Sequence, residues 1–457
     1  MKRSTSRSVD LVNGPIIPGI LRFAFPIFLG QLLQQLYNLA DAWVVGNFAD
    51  NNAFAAVSSA TNLTLLIIGF FNGIALGGGV VISRYFGAGD QENVEKAIHT
   101  NFLLGLIASV LSTVVGLLLV PHILVWMKVP ESVLPDSLCY FNFYFAGVST
   151  IIMFNICMAI MQALGDSLRP LYYLAIASVT NVVLDLILVA GFHLGVGGAA
   201  FATVLAQGLS AALCILRMLR GKDAAKLELR KLRLYPGILS QVLLQGLPAG
   251  IQGSVVSIGN LVVQTNINTF GAYAMSGHGA YSKIEGLAFL PIMSMSQSLP
   301  TFVSQNLGAG RYDRARKGGI AGILIGMALA EGLGVLLYFQ IERALAIFVD
   351  DPQAIAYGTI HAHIAILFFF LLAFSHCAAG VLRGCGKSVV PMIAMLSSWC
   401  VIRIIYVTLT LRVFPVFQTI SWAYPLTWLC SSIVLLVALL RLDWPHIYQR
   451  EKQHADP

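Results

Sequence analysis

Two aspartates inside apolar stretches of the chain carry the most direct chemical signal. Asp41 lies near the end of the first apolar stretch, and Asp185 lies near the end of the fifth, four residues after Asn181. Residues four apart share one face of a helix, so Asn181 and Asp185 are predicted to face the same way. Counted from the outer helix ends at a rise of about 1.5 Å per residue, Asp41, Asp185 and Thr203 fall within roughly the outer 10 Å, and Asn181 slightly deeper.

Together these four residues form a set of polar groups that suits a small cation. Two neighbouring carboxylates cannot both stay ionised without an energetic cost, so the pair is predicted to bind a proton. The same oxygens could instead hold a sodium ion. The sequence leaves proton and sodium open, as well as the simpler interpretation that each acid only satisfies a polar neighbour.

Further ionisable residues lie within apolar stretches, where an ionised group costs at least about 2.5–3.5 kcal/mol at mid-helix. They are Lys283, Glu285, Glu331, Arg403, His361 and His363. Lys283 and Glu285 are two residues apart and do not face each other on a helix, so separate structural partners are predicted. Glu331 and Arg403 could pair across two helices. The two histidines are interpreted as residues near a helix entry rather than as metal ligands, and the seven cysteines have no metal-site spacing.

The composition is that of an integral membrane protein. Hydrophobic residues make up 57% of the 457 residues and charged residues 11%, whereas soluble domains carry about 25% charged residues. The mean hydropathy is +0.78. The net charge of +7 resides mainly in short loops, where it indicates orientation rather than a nucleic-acid partner.

Twelve apolar segments are long enough to span a bilayer, which needs roughly 20 residues per helix. The predicted spans are 16–44, 53–82, 97–120, 138–163, 169–191, 196–219, 238–268, 274–303, 318–340, 353–381, 389–411 and 417–440. The expected organisation is a six-helix lobe over 1–222, a cytoplasmic linker over 223–237, a second six-helix lobe over 238–445 and a polar cytoplasmic tail over 446–457. The lipid bilayer is therefore an expected partner.

The two lobes repeat each other at an offset of about 221 residues. The segment from Ser83 to Gly89 matches that from Ser304 to Gly310, and Gly165-Asp166-Ser167 matches Gly386-Lys387-Ser388. Lys and Arg concentrate in alternate loops, which places both termini in the cytoplasm. Six helices per lobe is an even number, so the lobes should be related by a pseudo-two-fold axis along the membrane normal, as in secondary transporters.

The acids are not repeated, although a helix-kinking proline is. Asp41 aligns with Val263, and Asp185 aligns near Tyr406, so the predicted coupling chemistry is confined to the first lobe. Pro26 and Pro248 interrupt the first and seventh helices and are predicted to kink them. A kink below Asp41 could bend when that acid gains or loses a proton, and a static kink is the open alternative.

The chain has no sequence pattern typical of an enzyme or an ATPase. Gly384-Cys385-Gly386-Lys387-Ser388 resembles the end of a P-loop, but Val381 occupies the position of the required glycine. No HExxH or GxSxG sequence occurs. The protein is therefore not expected to be an enzyme, and its energy source is expected to be an ion gradient.

The twelve spans, the Pro26 helix ending at Asp41, the repeated glycine-containing loops, and Ala163-Leu164-Gly165-Asp166 with Leu382-Arg383-Gly384 resemble the multidrug and toxic compound extrusion (MATE) transporters, and within them the DinF-like, MepA-type branch. The resemblance implies an antiporter that exports amphipathic, often cationic organic compounds against protons or sodium, without another cofactor. It assigns ion coupling to Asp41, Asn181, Asp185 and Thr203, and a substrate cavity to Gln34, Tyr37 and Asn155. A monomer in the cytoplasmic (inner) membrane is expected.

A flippase of lipid-linked or anionic substrates, from the same superfamily, is the alternative function. Such a protein should carry cations in its cavity, and Lys283 and Arg403 are the residues that could supply them. The acidic pair in the first lobe favours a cationic cargo instead.

Overall fold

The protein is described by a computed structural model over residues 8–48, 51–126, 133–221 and 223–447, which excludes most of the predicted polar tail. Over these residues the chain is helical, and no strand occurs among them. Contacts divide the chain into two compact units. Unit 1 consists of the residues up to Asp10 and Leu29–Gly250, and unit 2 consists of Leu11–Phe28 and the residues from Ile251 onward.

Seven helices form or enter unit 1. They are α1 (Ile16–Phe48), α2 (Asn51–Ala88), α3 (Gln91–Trp126), α4 (Leu134–Ala163), α5 (Leu168–Asp185), α6 (Gly195–Arg220) and α7 (Pro236–Asn268). The central helix is α4, which packs against α2, α3 and α6. It can do so because apolar side chains such as Phe141, Phe145 and Ile156 are buried on it.

The remaining helices belong to unit 2. They are α8 (Ala272–Ala288), α9 (Leu290–Gly308), α10 (Tyr312–Leu345), α11 (Pro352–Ile366), α12 (Phe369–Gly384), α13 (Val389–Met395), α14 (Arg403–Val413) and α15 (Phe417–Leu440). Helix α8 packs against α11, α9 packs against α10 and α12, and α15 packs against α11, α12 and α14.

Several predicted spans are broken rather than continuous. The predicted span 274–303 is two helices that meet at Phe289, because Pro291 at the start of α9 has no backbone N–H for the preceding turn. The predicted span 353–381 is the pair α11 and α12, bent by 56°. Within the described ranges, nine helical stretches are long and apolar enough to cross a membrane, and this bent pair makes a tenth if it counts as one span.

The sequence repeat reappears as a repeated backbone geometry. Gly89 and Gly310 have φ values of 72° and 69°, and Gly165 and Gly386 have 85° and 79°. Each glycine ends a helix with the same two hydrogen bonds, as in Gly165 N to Gln162 O and Asp166 N to Met161 O. This is the Schellman helix ending, which glycine favours because it adopts positive φ without a Cβ clash.

The prolines that interrupt α1 and α7 lie close to the division between the units. Pro26 lies two residues before Phe28, where unit 2 gives way to unit 1 along α1, and Pro248 lies two residues before Gly250 in α7. The first part of α1 therefore belongs to unit 2, and the first part of α7 belongs to unit 1. These boundaries differ from the predicted lobes 1–222 and 238–445.

The linker after α6 is docked on unit 1. The N–H of Glu228 donates to His99 Nε2 at 3.0 Å, the N–H of Tyr235 donates to Thr100 Oγ1 at 3.3 Å, and Leu227 is buried. Hydrogen bonds from Lys226 and Lys231 lower the pKa of the Glu228 carboxyl to about 2. The linker is thus an ordered part of unit 1 and not a free tether.

Candidate functional site

The ends of α1 and α5 bring the two predicted aspartates together in unit 1. The carboxyl groups of Asp41 and Asp185 approach each other closely enough for a side-chain hydrogen bond. Asp185 is 0% exposed, and neither of its oxygens receives a hydrogen bond from a donor in the described part of the chain; Oδ1 of Asp41 also receives none. Two ionised carboxylates are both acceptors and repel each other, so a proton on one of them would stabilise their contact.

Asn181 and Thr203 lie beside this acidic pair, as the spacing predicts. The Asn181 amide donates to Thr203 Oγ1 at 3.4 Å and links α5 to α6. Both residues line a small cavity with Tyr37 and Gln207. This cavity has no room for a water-sized sphere, whereas pockets for drug-sized ligands measure about 300–1,000 Å³. The cavity is therefore too small for an organic substrate.

A π-helical turn follows Asp185 directly. The turn covers Leu186–Gly191, and it ends with Phe192 N donating to Ile187 O. Single π-helical turns widen a helix locally and often mark functional sites. Here the turn starts one residue after the acid, at the C-terminal end of α5.

Two residues near the acids are additions to the predicted set. The Tyr140 phenol on α4 lies close enough to Asp41 and Asp185 for their charges to act on it. The Gln207 amide donates to the Tyr37 hydroxyl at 3.3 Å. Gln207 could have been found, because it lies four residues after Thr203 on the same helical face. Nothing in the spacing of α4 indicates Tyr140.

The three residues predicted to line the substrate cavity differ in how close they lie to the acidic pair. Tyr37 lines the small cavity and interacts electrostatically with both acids. Gln34 is exposed one turn before Tyr37 on α1 and interacts with the Tyr37 hydroxyl. The Asn155 amide donates to the Ile151 carbonyl of its own helix at 3.0 Å. Tyr37 and Gln34 are thus next to the acidic pair, whereas Asn155 is held within α4.

In unit 2 the position aligned with Asp41 is apolar. Val263 is 1% exposed and belongs to a hydrophobic cluster with Ile267, Phe417 and Ile420. No group of three or more His, Cys, Asp and Glu residues in the described ranges is arranged to hold a metal ion.

The hypothesis that Glu331 and Arg403 pair across helices is wrong. Glu331 accepts a hydrogen bond from the backbone N–H of Phe370 at 3.2 Å. Phe370 is the second residue of α12, and amides in the first helical turn have no partner within the helix. The carboxylate therefore caps the helix that begins after the bend, and Arg403 has other partners.

The fold and the site together define a class of protein. A chain of apolar membrane-spanning helices, built by duplication and carrying a buried acidic pair in one half, is a secondary transporter rather than an enzyme. Comparison with known proteins identifies the family. The MatE family model matches residues 26–187 and again 248–409, which is one match for each half of the repeat. The chain belongs to the MatE family of membrane transporters.

Individual relatives agree with this assignment. The chain is 24% identical over 397 residues to a probable multidrug resistance protein, YpnP, of Bacillus subtilis, covering 87% of this chain and 89% of the relative. It is 22% identical over 395 residues to the multidrug export protein MepA of Staphylococcus saprophyticus, covering 86% and 87%. The predicted resemblance to MATE transporters, MepA-type proteins among them, is confirmed.

Solved structures show the same fold. A multidrug resistance MATE family transporter of the MOP superfamily, in an outward-facing conformation, superposes with a TM-score of 0.89 at 20% identity and covers 99% of both chains. This match confirms the predicted fold class, an all-helical membrane protein with twelve spans in two six-helix bundles. The ten apolar stretches counted above do not include α2 or the broken pair of α8 and α9, which correspond to the other two predicted spans.

Proposed function

We propose that this transporter exports amphipathic, often cationic organic compounds across the cytoplasmic membrane in exchange for protons. The observation that carries the proposal is the contact between the Asp41 and Asp185 carboxyl groups, because a proton shared between two acceptor groups would stabilise it. The names of the relatives YpnP and MepA support a drug-like cargo for this chain. Ion coupling follows from the acids and not from those names.

The proposed mechanism is a competition between proton and cargo. When the acidic pair is fully ionised it carries two negative charges, which favour binding of an organic cation at the proposed substrate site beside Gln34 and Tyr37. Protonation removes this charge and weakens the hold on the cation. Thermodynamic linkage requires the effect to be reciprocal, so a bound cation also opposes proton binding by the same factor.

Alternating access would convert this competition into export. Proton binding from the outside would favour release of the cargo there, and proton release to the cytoplasm would prepare the site for the next molecule. The basic loops support an orientation with both termini in the cytoplasm. Pro26 and Pro248 are the proposed bending points of α1 and α7, and a monomer would suffice.

A proton is proposed in preference to sodium because of the donors around the acids. A sodium site needs several oxygens directed at one point, whereas Asn181 directs its amide to Thr203 and the two carboxyl groups approach each other. Asn181 Oδ1 has no partner among the described residues. It could turn toward a sodium ion, so sodium drive is one outcome of the test.

The alternative, a flippase for anionic or lipid-linked substrates, rested on Lys283 and Arg403 as cations that could bind such a substrate. Arg403 is bound by Asn260 and Thr427 within unit 2. Lys283 is exposed, with its ammonium group 5.5 Å from the centre of the Phe348 ring. Neither cation needs an anionic ligand.

The test is transport by the purified protein in liposomes. Accumulation of a cationic dye should be driven by a pH gradient alone and not by a sodium gradient alone. Asp41→Asn should reduce the pH-driven rate about tenfold or more, as expected when a coupling free energy of ~1–3 kcal/mol is lost. Asp136→Asn is the matched control, because Asp136 lies in the same unit in the first turn of α4 and outside the acidic pair.

Each other outcome has a definite meaning. Wild-type rates in a folded Asp41→Asn protein would refute the assignment of coupling to this pair. Drive by sodium alone would retain the exporter and reassign Asp41, Asn181, Asp185 and Thr203 as a sodium site. Movement of lipid-linked substrates without any dye transport would favour the flippase.

A further inference from the structure

A second cluster of ionisable groups lies in unit 2, outside the site described above. His278, Tyr281 and Glu285 are spaced three and four residues apart, so they share one face of α8. The ring of His361 on α11 lies 4.8 Å from the ring of His278 and 4.8 Å from the ring of Tyr281. Tyr424 on α15 completes the cluster, 5.0 Å from His361. This group is called the unit 2 cluster below.

Polar atoms in the unit 2 cluster are buried without partners. Tyr281 is 1% exposed and His361 is 0% exposed. Nδ1 of His278, Nε2 of His361 and the hydroxyl of Tyr281 have no hydrogen-bond partner within the part of the chain described. The Tyr281 hydroxyl approaches the Glu285 carboxyl without completing a hydrogen bond to it. Buried polar atoms nearly always have a hydrogen-bond partner, so several unpaired polar atoms in one cluster indicate a site that binds a ligand or a proton.

A buried cation lies at the end of this cluster. The Arg403 side chain is 1% exposed, donates to Asn260 Oδ1 at 3.1 Å and to Thr427 Oγ1 at 2.9 Å, and lies 4.6 Å from the Tyr424 ring. None of the ion pairs found within the described ranges includes Arg403, so its direct partners are neutral. Glu285 is the acid whose charge acts on it.

The protonation state of Glu285 therefore sets the net charge of this buried region. A guanidinium group stays protonated in proteins. With Glu285 ionised, the region holds one positive and one negative charge. With Glu285 protonated, the charge of Arg403 is balanced only by an amide, a hydroxyl and aromatic rings.

We propose that unit 2 has a proton-binding site of its own, in which Glu285 takes the proton and Arg403 stabilises the ionised form. The two histidines and Tyr281 would provide hydrogen-bonding groups along which the proton reaches Glu285. In this step one proton leaves hydronium in the solvent and binds a carboxylate oxygen of Glu285. One O–H bond breaks, one O–H bond forms, and no other bond changes. Its use in export rests on the proposed function, whereas the proton binding does not.

The other charged groups around α8 are occupied or face away. On α10, Glu331 caps α12, and Glu342 and Arg343 are exposed. On α11, His363 contacts the Tyr338 carbonyl at 3.3 Å. Lys283, on α8 itself, is exposed. The described part of α9 contributes no ionisable acid or base.

The unit 2 cluster is better suited to bind a proton than a metal ion. Glu285 is the single carboxylate of the unit 2 cluster, and in the described ranges no arrangement of His, Cys, Asp and Glu suits a metal. A single carboxylate next to a fixed guanidinium supplies too few oxygen ligands for a hard cation. It can nevertheless exchange one proton.

Infrared spectroscopy tests the proposal without transport. The purified Asp41→Asn, Asp185→Asn double variant should still show a carboxyl C=O band in neutral buffer, where ordinary exposed carboxyl groups are ionised, and this band should disappear as the buffer becomes alkaline. Adding Glu285→Gln should abolish this band, whereas adding Glu331→Gln, the matched control in the same unit, should leave it. A band that persists after Glu285→Gln, or no band in the double variant, would overturn the proposal.

A second variant tests the contribution of Arg403. Arg403→Gln should keep the Glu285 band visible in more alkaline buffer, because the ionised form loses its stabilising charge; Arg403→Lys should behave nearly as the wild type. An unchanged band in folded Arg403→Gln would contradict the pairing, and a band that responds to sodium at fixed pH would identify a metal site instead. If the dye assay fails while the band behaves as expected, the proposed function fails and the proton site stands.

Discussion

A carboxyl group that faces another carboxyl group in an apolar helix bundle is not explained by packing. Asp185 is fully buried, and its oxygens have no donor among the described residues. In the absence of a proton, the two acids repel each other where water cannot screen them. We therefore expect the pair to be most stable in its singly protonated form, and each change of protonation would alter the charge of unit 1.

Tyr140 is the residue near this pair that we expect to adjust the pH dependence of export. Its phenol dipole can stabilise the ionised acids, so Tyr140→Phe should favour protonation and move the pH profile of dye efflux to more alkaline values. The rate at the optimum should change less than tenfold, because a single polar interaction is worth about 0.5–1.5 kcal/mol. The ring remains stacked on Tyr144 at 6.1 Å, so the thermal midpoint should not change.

Tyr172→Phe is the control for this prediction. Tyr172 is an exposed tyrosine on α5 of the same unit, 51% accessible, so its hydroxyl should not affect the profile. An unchanged pH profile in Tyr140→Phe, measured beside this control, would remove Tyr140 from the site.

At the scale of residues, the sequence predicts which residues share one face of a helix better than it predicts which side chains of different helices are in contact. Asn181 and Asp185 follow from their spacing of four. Tyr140 does not, because α4 is apolar and aromatic on all sides and its rotation about its own axis cannot be read from the pattern. The pairing of Glu331 with Arg403 failed for the same kind of reason, since it ignored backbone amides as partners.

At the scale of elements, the breaks in the helices decide where polar groups are needed. The bend between α11 and α12 frees backbone amides, and Glu331 on α10 caps one of them. Hydropathy predicts the length of a span but not an interruption within it. The helix endings at Gly89, Gly165, Gly310 and Gly386 are the opposite case, because a glycine repeated at a fixed offset predicts its own conformation.

Removing the cap on α12 should destabilise unit 2 by a modest amount. Glu331→Ala is expected to lower the free energy of unfolding by about 0.5–2 kcal/mol, the usual effect of losing a helix cap. Glu331→Gln keeps an oxygen acceptor and should lose less. The measurement is the thermal midpoint of the purified protein in detergent. The control is Glu342→Ala, at the exposed end of the same helix; an equal effect of both alanine variants would exclude a specific cap.

At the scale of the whole molecule, duplication preserved the fold and not the chemistry. The MatE family model matches both halves, and the helix-ending glycines have nearly the same φ values in each. Within the described ranges, Val263 replaces the first acid of the pair in unit 2, and the site proposed there, with Glu285 and Arg403, lies at a different place in the fold. The repeat therefore predicts architecture, whereas each functional site has to be derived from its own surroundings.

This asymmetry can be tested by moving the acid. Val263→Asp places a carboxylate at the position aligned with Asp41, among the apolar side chains of Ile267, Phe417 and Ile420. An uncompensated buried charge costs about 3–5 kcal/mol, so the thermal midpoint should fall well below that of Val263→Thr, which keeps the shape and replaces one methyl group with a hydroxyl. The double variant Asp41→Asn, Val263→Asp should show pH-driven dye efflux as slow as that of Asp41→Asn alone. Recovery of efflux in the double variant would mean that the two units are interchangeable and that the surroundings of Asp41, including Asp185 and Tyr140, are not required for coupling.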